Sequence, residues 1–422
     1  MRTGELTPGT AAGAPRPRVL VVGHGAAASG FARVTDAIIA HLPGRYRVEQ
    51  LAVNHRTDTV AAPWTAHGNP RLGDVHGLER AAELVARRRP DAVLIVGDLW
   101  FVVVHLIRLA AEGHRPATVA YCPVDGELTD HRYAEGLAGC DRLVAYTGFG
   151  RDQLRRLGLR VDAVIPHGVD AAAFRPLAGP ERAAARAALF GADAADAFVV
   201  LNANKHQPRK RLDLTIEGFA RFARDKPPGV RLYLHTTATA AADGVLDLVH
   251  ASGIGPRLLL APGEDPRHPA LPDDRLNLLY NACDVGLNTA AGEGWGLVGA
   301  EHAAAGAAQV VPRHSACAEL WAGTALQLDP VYTYEDRALG MLRHAVDPDD
   351  VAGALDLLYH HPAERRRLAE AGRRWVTGDE YRWPAIGARW DALLGEVTGL
   401  PPGRDHDDGA QGHRAVTTML RP

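Results

Sequence analysis

Short apolar runs alternate along the chain with longer stretches whose apolar residues recur at helical spacing. In the first half the runs are "RVLVVGHG", "YRVEQLAV", "DAVLIVGD", "ATVAYCPVD", "RLVAYT" and "DAVIPHGV". Most are continuously apolar, as strands covered on both faces must be. Strands alternating with helical patterns predict a parallel α/β unit. The segment Asp170–Arg182, "DAAAFRPLAGPER", carries two prolines and a glycine and reads as a linker. A second series follows: "FVVLNANK", "VRLYLHTT", "RLLLAPG", "CDVGLNTA", "AQVVPRHS" and "ALQLDP". The expectation is an α/β fold of two doubly wound parallel-sheet domains facing across a cleft. "EYRWPAIGARWDALLGEV" has helical periodicity, and the polar "PPGRDHDDGAQGHRAVTTMLRP" reads as a loose tail.

Composition narrows the class. The 422 residues suffice for two cores, and 46% hydrophobic with 23% charged residues excludes wholesale disorder. A net charge of −3 gives no global field for nucleic acid or an anionic membrane, so any anion must be met by a local cluster. Cys122, Cys140, Cys283 and Cys317 form no C-x-x-C pair and read as reduced thiols of a cytoplasmic protein. The N-terminal "MRTGELTPGTAAGAPRPR" lacks the apolar core of a secretory signal. "AVLIVGDLWFVVVHLIRLAA" is interrupted by Gly97, Asp98, His105 and Arg108, so no integral membrane segment is expected.

Two glycine-bearing turns and one basic cluster carry the candidate chemistry. After the first strand, Gly23-x-Gly25-x-x-Ala28 fits a dinucleotide fingerprint, with Glu49 placed at the end of the second strand. Two readings stay open: a nicotinamide or flavin site, or a loop bringing amides to another phosphate ligand. In "NANKHQPRKRLDLTIEGFARF", Lys205, Arg209, Lys210 and Arg211 lie ahead of a helix. Cations there oppose the helix dipole, at roughly a few tenths of a kcal/mol each. A bound anion would resolve the conflict; a solvated basic loop is the plainer alternative.

In "AAGEGWGLVGAEHAAAG", Glu293 and Glu301 stand eight positions apart across a glycine-rich turn. As isolated charges they read as a loop carboxylate and a helix N-terminal carboxylate. With the preceding strand and the expected helix start near Leu297, they gain another meaning. Glycines 292, 294 and 296 leave amides uncovered for a diphosphate, and the carboxylates can accept from vicinal hydroxyls. Diphosphate plus hydroxyls describes a nucleotide sugar.

From about Arg18 to Val397 the chain resembles retaining GT-B glycosyltransferases, specifically family four. "YNACDVGLNTAAGEGWGLVGAEHAAAGAAQVV" is similar to the family's E-x7-E region. "VIPHGVDAAAFRP" resembles its interdomain segment, "NKHQPRKRLDLTIEGF" its phosphate motif, and "YRWPAIGARWDALL" its terminal helix. The resemblance implies a GT-B fold with an N-terminal segment 1–17, an acceptor domain 18–175, a nucleotide-sugar domain 176–380, a helix 381–398 crossing back, and a tail 399–422. Glu301 would hold the ribose and Glu293 the transferred sugar. Lys205 and Lys210 would neutralise the diphosphate, with Asn204, Arg209 and the amides of Gly294, Trp295, Gly296, Leu297 and Val298 in support. Gly23 and Gly25 would close over the phosphates.

The resemblance further implies hexosyl transfer with retention, without metal or cofactor, from a UDP- or GDP-linked donor. The acceptor is a hydroxyl of a small molecule or glycan, and composition fits secondary-metabolite biosynthesis. Departures are visible. His167 stands where Asn is frequent, and Lys205 replaces an arginine, keeping charge but losing the bidentate fork. Asp125 matches the aspartate of a family His-Asp pair without the histidine; His131 lies nearby. Asp125, Glu127 and Asp130 read as loop charges before a metal set. An oxidoreductase using the Gly23 turn and a non-catalytic nucleotide-sugar sensor are the competing classes.

Overall fold

A computed structural model describes residues 15–27, 29–191, 196–235, 244–259 and 271–401. Ala28, most of the segment 1–17 and most of the tail 399–422 therefore lie outside the described residues. In chain order the first domain has strands β1 (Arg18–Gly23), β2 (Arg47–Ala52), β3 (Thr65–His67), β4 (Ala92–Val96), β5 (Ala117–Cys122), β6 (Glu127–Leu128), β7 (Arg142–Ala145) and β8 (Ala163–Val164). All but β6 form one sheet, ordered β3-β2-β1-β4-β5-β7-β8 and parallel throughout.

The second domain contributes β9 (Phe198–Asn202), β10 (Val230–Leu234), β11 (Leu258–Leu259), β12 (Val285–Leu287), β13 (Ala308–Pro312) and β14 (Leu326–Leu328). Their order is β11-β10-β9-β12-β13-β14, again parallel. In both sheets the order reverses beside the first strand. Ligands of open α/β sheets bind at that switch point, outside the carboxyl ends. The turns after β1 and β4 thus face one crevice, and those after β9 and β12 the other.

Most expected strands form, with shorter limits, because the ends of the apolar runs leave the sheet as turns. Glu49 is a correction. It sits inside β2, not at its end, where His67 of β3 bonds its carboxylate at 2.7 Å. The apolar cores also join. One buried cluster runs from Val19, Tyr46 and Tyr121 of the first domain to Tyr280, Trp295 and Ala300 of the second. The last helix, Trp383–Thr398, completes it from the first domain's side. Its Trp390 is fully buried edge-on to Tyr121, while Tyr46 donates to the Asp391 carbonyl at 3.0 Å.

A third sheet was not expected. β15 (Pro330–Asp336) and β16 (Met341–Val346) form an antiparallel hairpin, and β16 pairs with β6 of the first domain. The two domains therefore share a sheet.

Trp390→Ala removes a large side chain at the seam and should cost about 3–5 kcal/mol, the usual range for aromatic truncation in a core. The shift of the urea midpoint measures it; a change within error would show that the crossing helix is not part of the common core.

Candidate active site

The basic segment after β9 makes a single 3₁₀ turn, Pro208–Lys210, and Arg211 then takes a left-handed conformation (φ 48°) to start helix Leu212–Ala223. This turns Arg209 and Lys210 inward. Lys210 is buried and its Nζ hydrogen-bonds Glu293 Oε2. Arg209 donates from Nη1 to the Gly292 carbonyl at 3.0 Å and stands 3.2 Å from Asp125 Oδ2 across the cleft. Arg211 is held by Asp213 at 2.7 Å. The electrostatic conflict read from the sequence is met by carboxylates of the chain itself. Lys205 is exposed and makes no ion pair with the buried carboxylates among the described residues; burial, and after it the nearby Lys205 charge, lower the pKa of His24 in the first domain. Asn204 is buried and bonds back to Asn202 Oδ1 at 3.0 Å, which fixes the loop leaving β9.

The glycines after β12 have a different cause from the one their sequence suggested. A Cβ on Gly292 would overlap the Asp125 carbonyl oxygen and Nη1 of Arg343. One on Gly294 would lie 2.6 Å from Cβ of Pro123. Both glycines let the first-domain segment 123–126 rest on the turn, rather than leave amides bare. Gly296 alone is left-handed (φ 94°), at the start of helix Leu297–Ala304. Leu297 and Val298 open that helix, and Leu297 lies under Gly30 of the first domain. Trp295 is buried against His167 and Tyr381. Beside Asn204, Asn288, Gly296 and Val298 the remaining cavity is about 20 Å³, which is room for one water.

Glu301 falls in the second turn of its helix rather than the first. It is buried, accepts from the Tyr280 hydroxyl at 3.0 Å, and faces Arg33 of the first domain at 3.3 Å. Burial pushes its carboxyl up to about 7, outweighing the opposite pull of Arg33. Glu293 is the reverse case. Burial raises it, but Lys210 and Arg209 prevail and hold it below the usual carboxylate range. Lys210 in turn is lowered by burial despite Glu293.

From the first domain, Asp125 is bound by Arg343, which donates to its Oδ1 and its carbonyl at 2.9 Å each. Glu127 pairs with His344 and Asp130 with Arg132, so these three acids are each held by a different side chain. His131 is exposed at the start of a short helix. Gly23 ends β1 and Gly25 lies in the turn after it. The Gly25 amide is taken by Asn54 Oδ1 at 2.9 Å, and a Cβ there would overlap Gln50. With Glu49 given to His67, the dinucleotide reading of this turn loses both its amide and its ribose carboxylate.

Sequence reasoning missed three residues. Arg33 reaches Glu301, Arg343 reaches Asp125, and Asp98 follows β4 with a carboxyl pushed up to about 6 by burial and by Asp125. For Arg343 a signal existed: "VYTYEDRALGMLRHAV" carries the aromatic and β-branched residues of a hairpin. Arg33 and Asp98 lie at ordinary helix starts and carry none.

Comparison with known proteins bears on the fold and on sequence likeness. A family described as glycosyl transferase-like matches residues 219–390. The D-inositol 3-phosphate glycosyltransferase of Geodermatophilus obscurus is 30% identical over 305 residues, covering 68% of this chain and 58% of that protein. Its counterpart in Kineococcus radiotolerans is 34% identical over 247 residues, covering 56% and 53%. The chain thus spans little more than half the length of these relatives. Among solved structures, sucrose-phosphate synthase from Thermosynechococcus elongatus superposes with TM-score 0.69 at 15% identity, over 92% of this chain and all of that one. HepE from Anabaena, in complex with UDP and glucose, superposes with TM-score 0.67 at 14% identity, over 90% and 100%. The fold is GT-B. Over little more than half of each relative, the sequence likeness is to glycosyltransferases. Among the described residues no helix is long and apolar enough to cross a membrane.

Glu301 gives a pH test. Its folded-state value lies above the ordinary 4.5, so the stability it contributes is fully present below that pH and is lost as pH rises through about 7. Glu301→Gln removes this titration. Its denaturation midpoint should gain on the wild type between pH 5 and 8, and parallel profiles would contradict the burial of an ionising carboxyl.

Proposed function

We propose that the chain transfers a sugar from a nucleotide diphosphate sugar to an acceptor hydroxyl, as a retaining, family-four glycosyltransferase. One observation carries the reading. Arg209, Lys210 and Glu293 converge beside the helix start at Gly296–Val298, with Glu301 one turn further on. Cations and helix amides suit a diphosphate, and buried carboxylates suit sugar and ribose hydroxyls. The superposed HepE, in complex with UDP and glucose and with UDP-glucose, favours a UDP-linked hexose as donor.

In this reading the bond from the anomeric carbon to the β-phosphate oxygen breaks, and the acceptor oxygen bonds that carbon on the same face. The acceptor proton passes to the departing phosphate. Arg209 and Lys210 stabilise the charge that grows on the leaving oxygen, the role of preorganised electrostatics. Glu293 orients the sugar, Glu301 holds the ribose, and no protein nucleophile is needed. With cations supplying this charge, the reaction is read as metal-independent. The acceptor is a hydroxylated small molecule or glycan. The likeness to D-inositol 3-phosphate glycosyltransferases makes a phosphorylated cyclitol the first acceptor to try.

Lys210→Ala should lower kcat/KM by roughly one to three orders of magnitude, the scale for loss of a stabilising donor; a change below about twofold would remove its role. Thermal shifts with UDP, GDP and NAD separate the classes, since a ligand at a hundred times its Kd adds about 2.7 kcal/mol. Stabilisation by NAD alone would restore the oxidoreductase reading. EDTA should leave turnover intact, and recovery of lost turnover on adding Mg²⁺ would refute metal independence.

A further inference from the structure

The hairpin Pro330–Val346 lies between the two halves of the site. On one side β16 pairs with β6, Leu342 opposite Glu127 and Met341 opposite Leu128. Thr129 donates its amide to the Gly340 carbonyl at 3.0 Å. The Tyr133 hydroxyl reaches the Leu339 carbonyl at 2.9 Å, and Arg132 Nη1 the Ala338 carbonyl at 3.1 Å. On the other side the His344 amide donates to the Ala291 carbonyl at 3.0 Å, two residues before Glu293. One strand therefore touches both the first domain's loop and the turn that carries Glu293.

Arg343 is the only charged residue of β16 and is fully buried. Its Nη1 donates to the Asp125 carbonyl and to Oδ1, both at 2.9 Å, and its Nε approaches Asp336 at 3.4 Å. Its Nη2 is buried with no partner among the described residues. Asp125 contacts Arg209 at 3.2 Å, and Arg209 holds the Gly292 carbonyl at 3.0 Å. The contacts form a closed chain: Arg343 to Asp125, Asp125 to Arg209, Arg209 to Gly292, and Gly292 packed on Asp125 and Arg343. A buried guanidinium needs pairing; Asp336 of the hairpin meets Nε, while Nη1 is met by Asp125, which comes from the other domain. Docking of the domains therefore brings Asp125 to both Arg343 and Arg209.

We propose that Arg343 is a positioning residue: through Asp125 it sets Arg209 in register with Lys210 and Glu293, so that strand addition of the hairpin to β6 is the latch that assembles the diphosphate site. Without it, Asp125 is held by Arg209 alone. Arg209 is then drawn from Gly292 towards the first domain, and the anion loses one of its two inward-facing cations. The inference rests on the reading of Arg209 and Lys210 as diphosphate contacts.

Titration calorimetry of the full chain with UDP, GDP and pyrophosphate tests it without requiring turnover. Arg343→Met should weaken binding of whichever probe the wild type takes by at least about tenfold, as for breaking a buried charge pair. Arg343→Lys, which keeps the charge and loses the fork, should fall between. In an Asp125→Asn background, Arg343→Met should change affinity by less than about threefold, because a residue acting through Asp125 has nothing left to align. A merely structural arginine would give additive losses. Should Arg343→Met fail to fold, Tyr133→Phe with Arg132→Ala cuts the outer latch instead. That variant should bind the probe more weakly and show a larger radius of gyration by small-angle scattering. Wild-type binding of none of the probes overturns the donor-site reading together with this inference. Wild-type binding with unchanged affinity in Arg343→Met, or additive losses in the double variant, overturns the positioning role alone.

Discussion

The structure depends on a contact without side-chain volume: the backbone at Gly292 and Gly294 lying directly against Pro123–Gly126 of the opposite domain. Any side chain at Gly292 would push the Asp125 carbonyl away. Asp125 would then leave Arg209 and Arg343, and the carboxylates and cations of the cleft would no longer interlock. Steric permission at one residue thus underlies an electrostatic network drawn from four separated segments of the chain.

That network is balanced internally. Lys210 faces Glu293, Arg209 faces Asp125, and Arg33 faces Glu301. On the proposed reading, a diphosphate would exchange partners with these carboxylates instead of meeting bare positive charge. Its affinity would be a difference between two sets of ion pairs, which favours discrimination over raw strength.

Much of the fold was legible because parallel strands buried on both faces must be continuously apolar, and the linker between series must break that pattern. Lys210, Glu293 and Glu301 were legible because their spacing around two strand-to-helix turns resembles a known arrangement. Other readings changed on folding. Lys205 stays at the surface, since the 3₁₀ turn after it points only Arg209 and Lys210 inward. Glu49 binds His67 because a residue inside β2 faces its sheet neighbour. The glycines of the Glu293 turn serve domain contact at two positions and backbone conformation at one.

By itself the sequence determined what local pattern can encode: two parallel α/β sheets, their order of appearance, and the turns that place chemistry at the strand ends. Only the tertiary structure decided which charges meet. Arg33 and Glu301, or Asp125 and Arg343, are separated by hundreds of residues and come from different domains. Their attraction becomes strong only once both are removed from water, and burial is a property of the docked domains rather than of any segment.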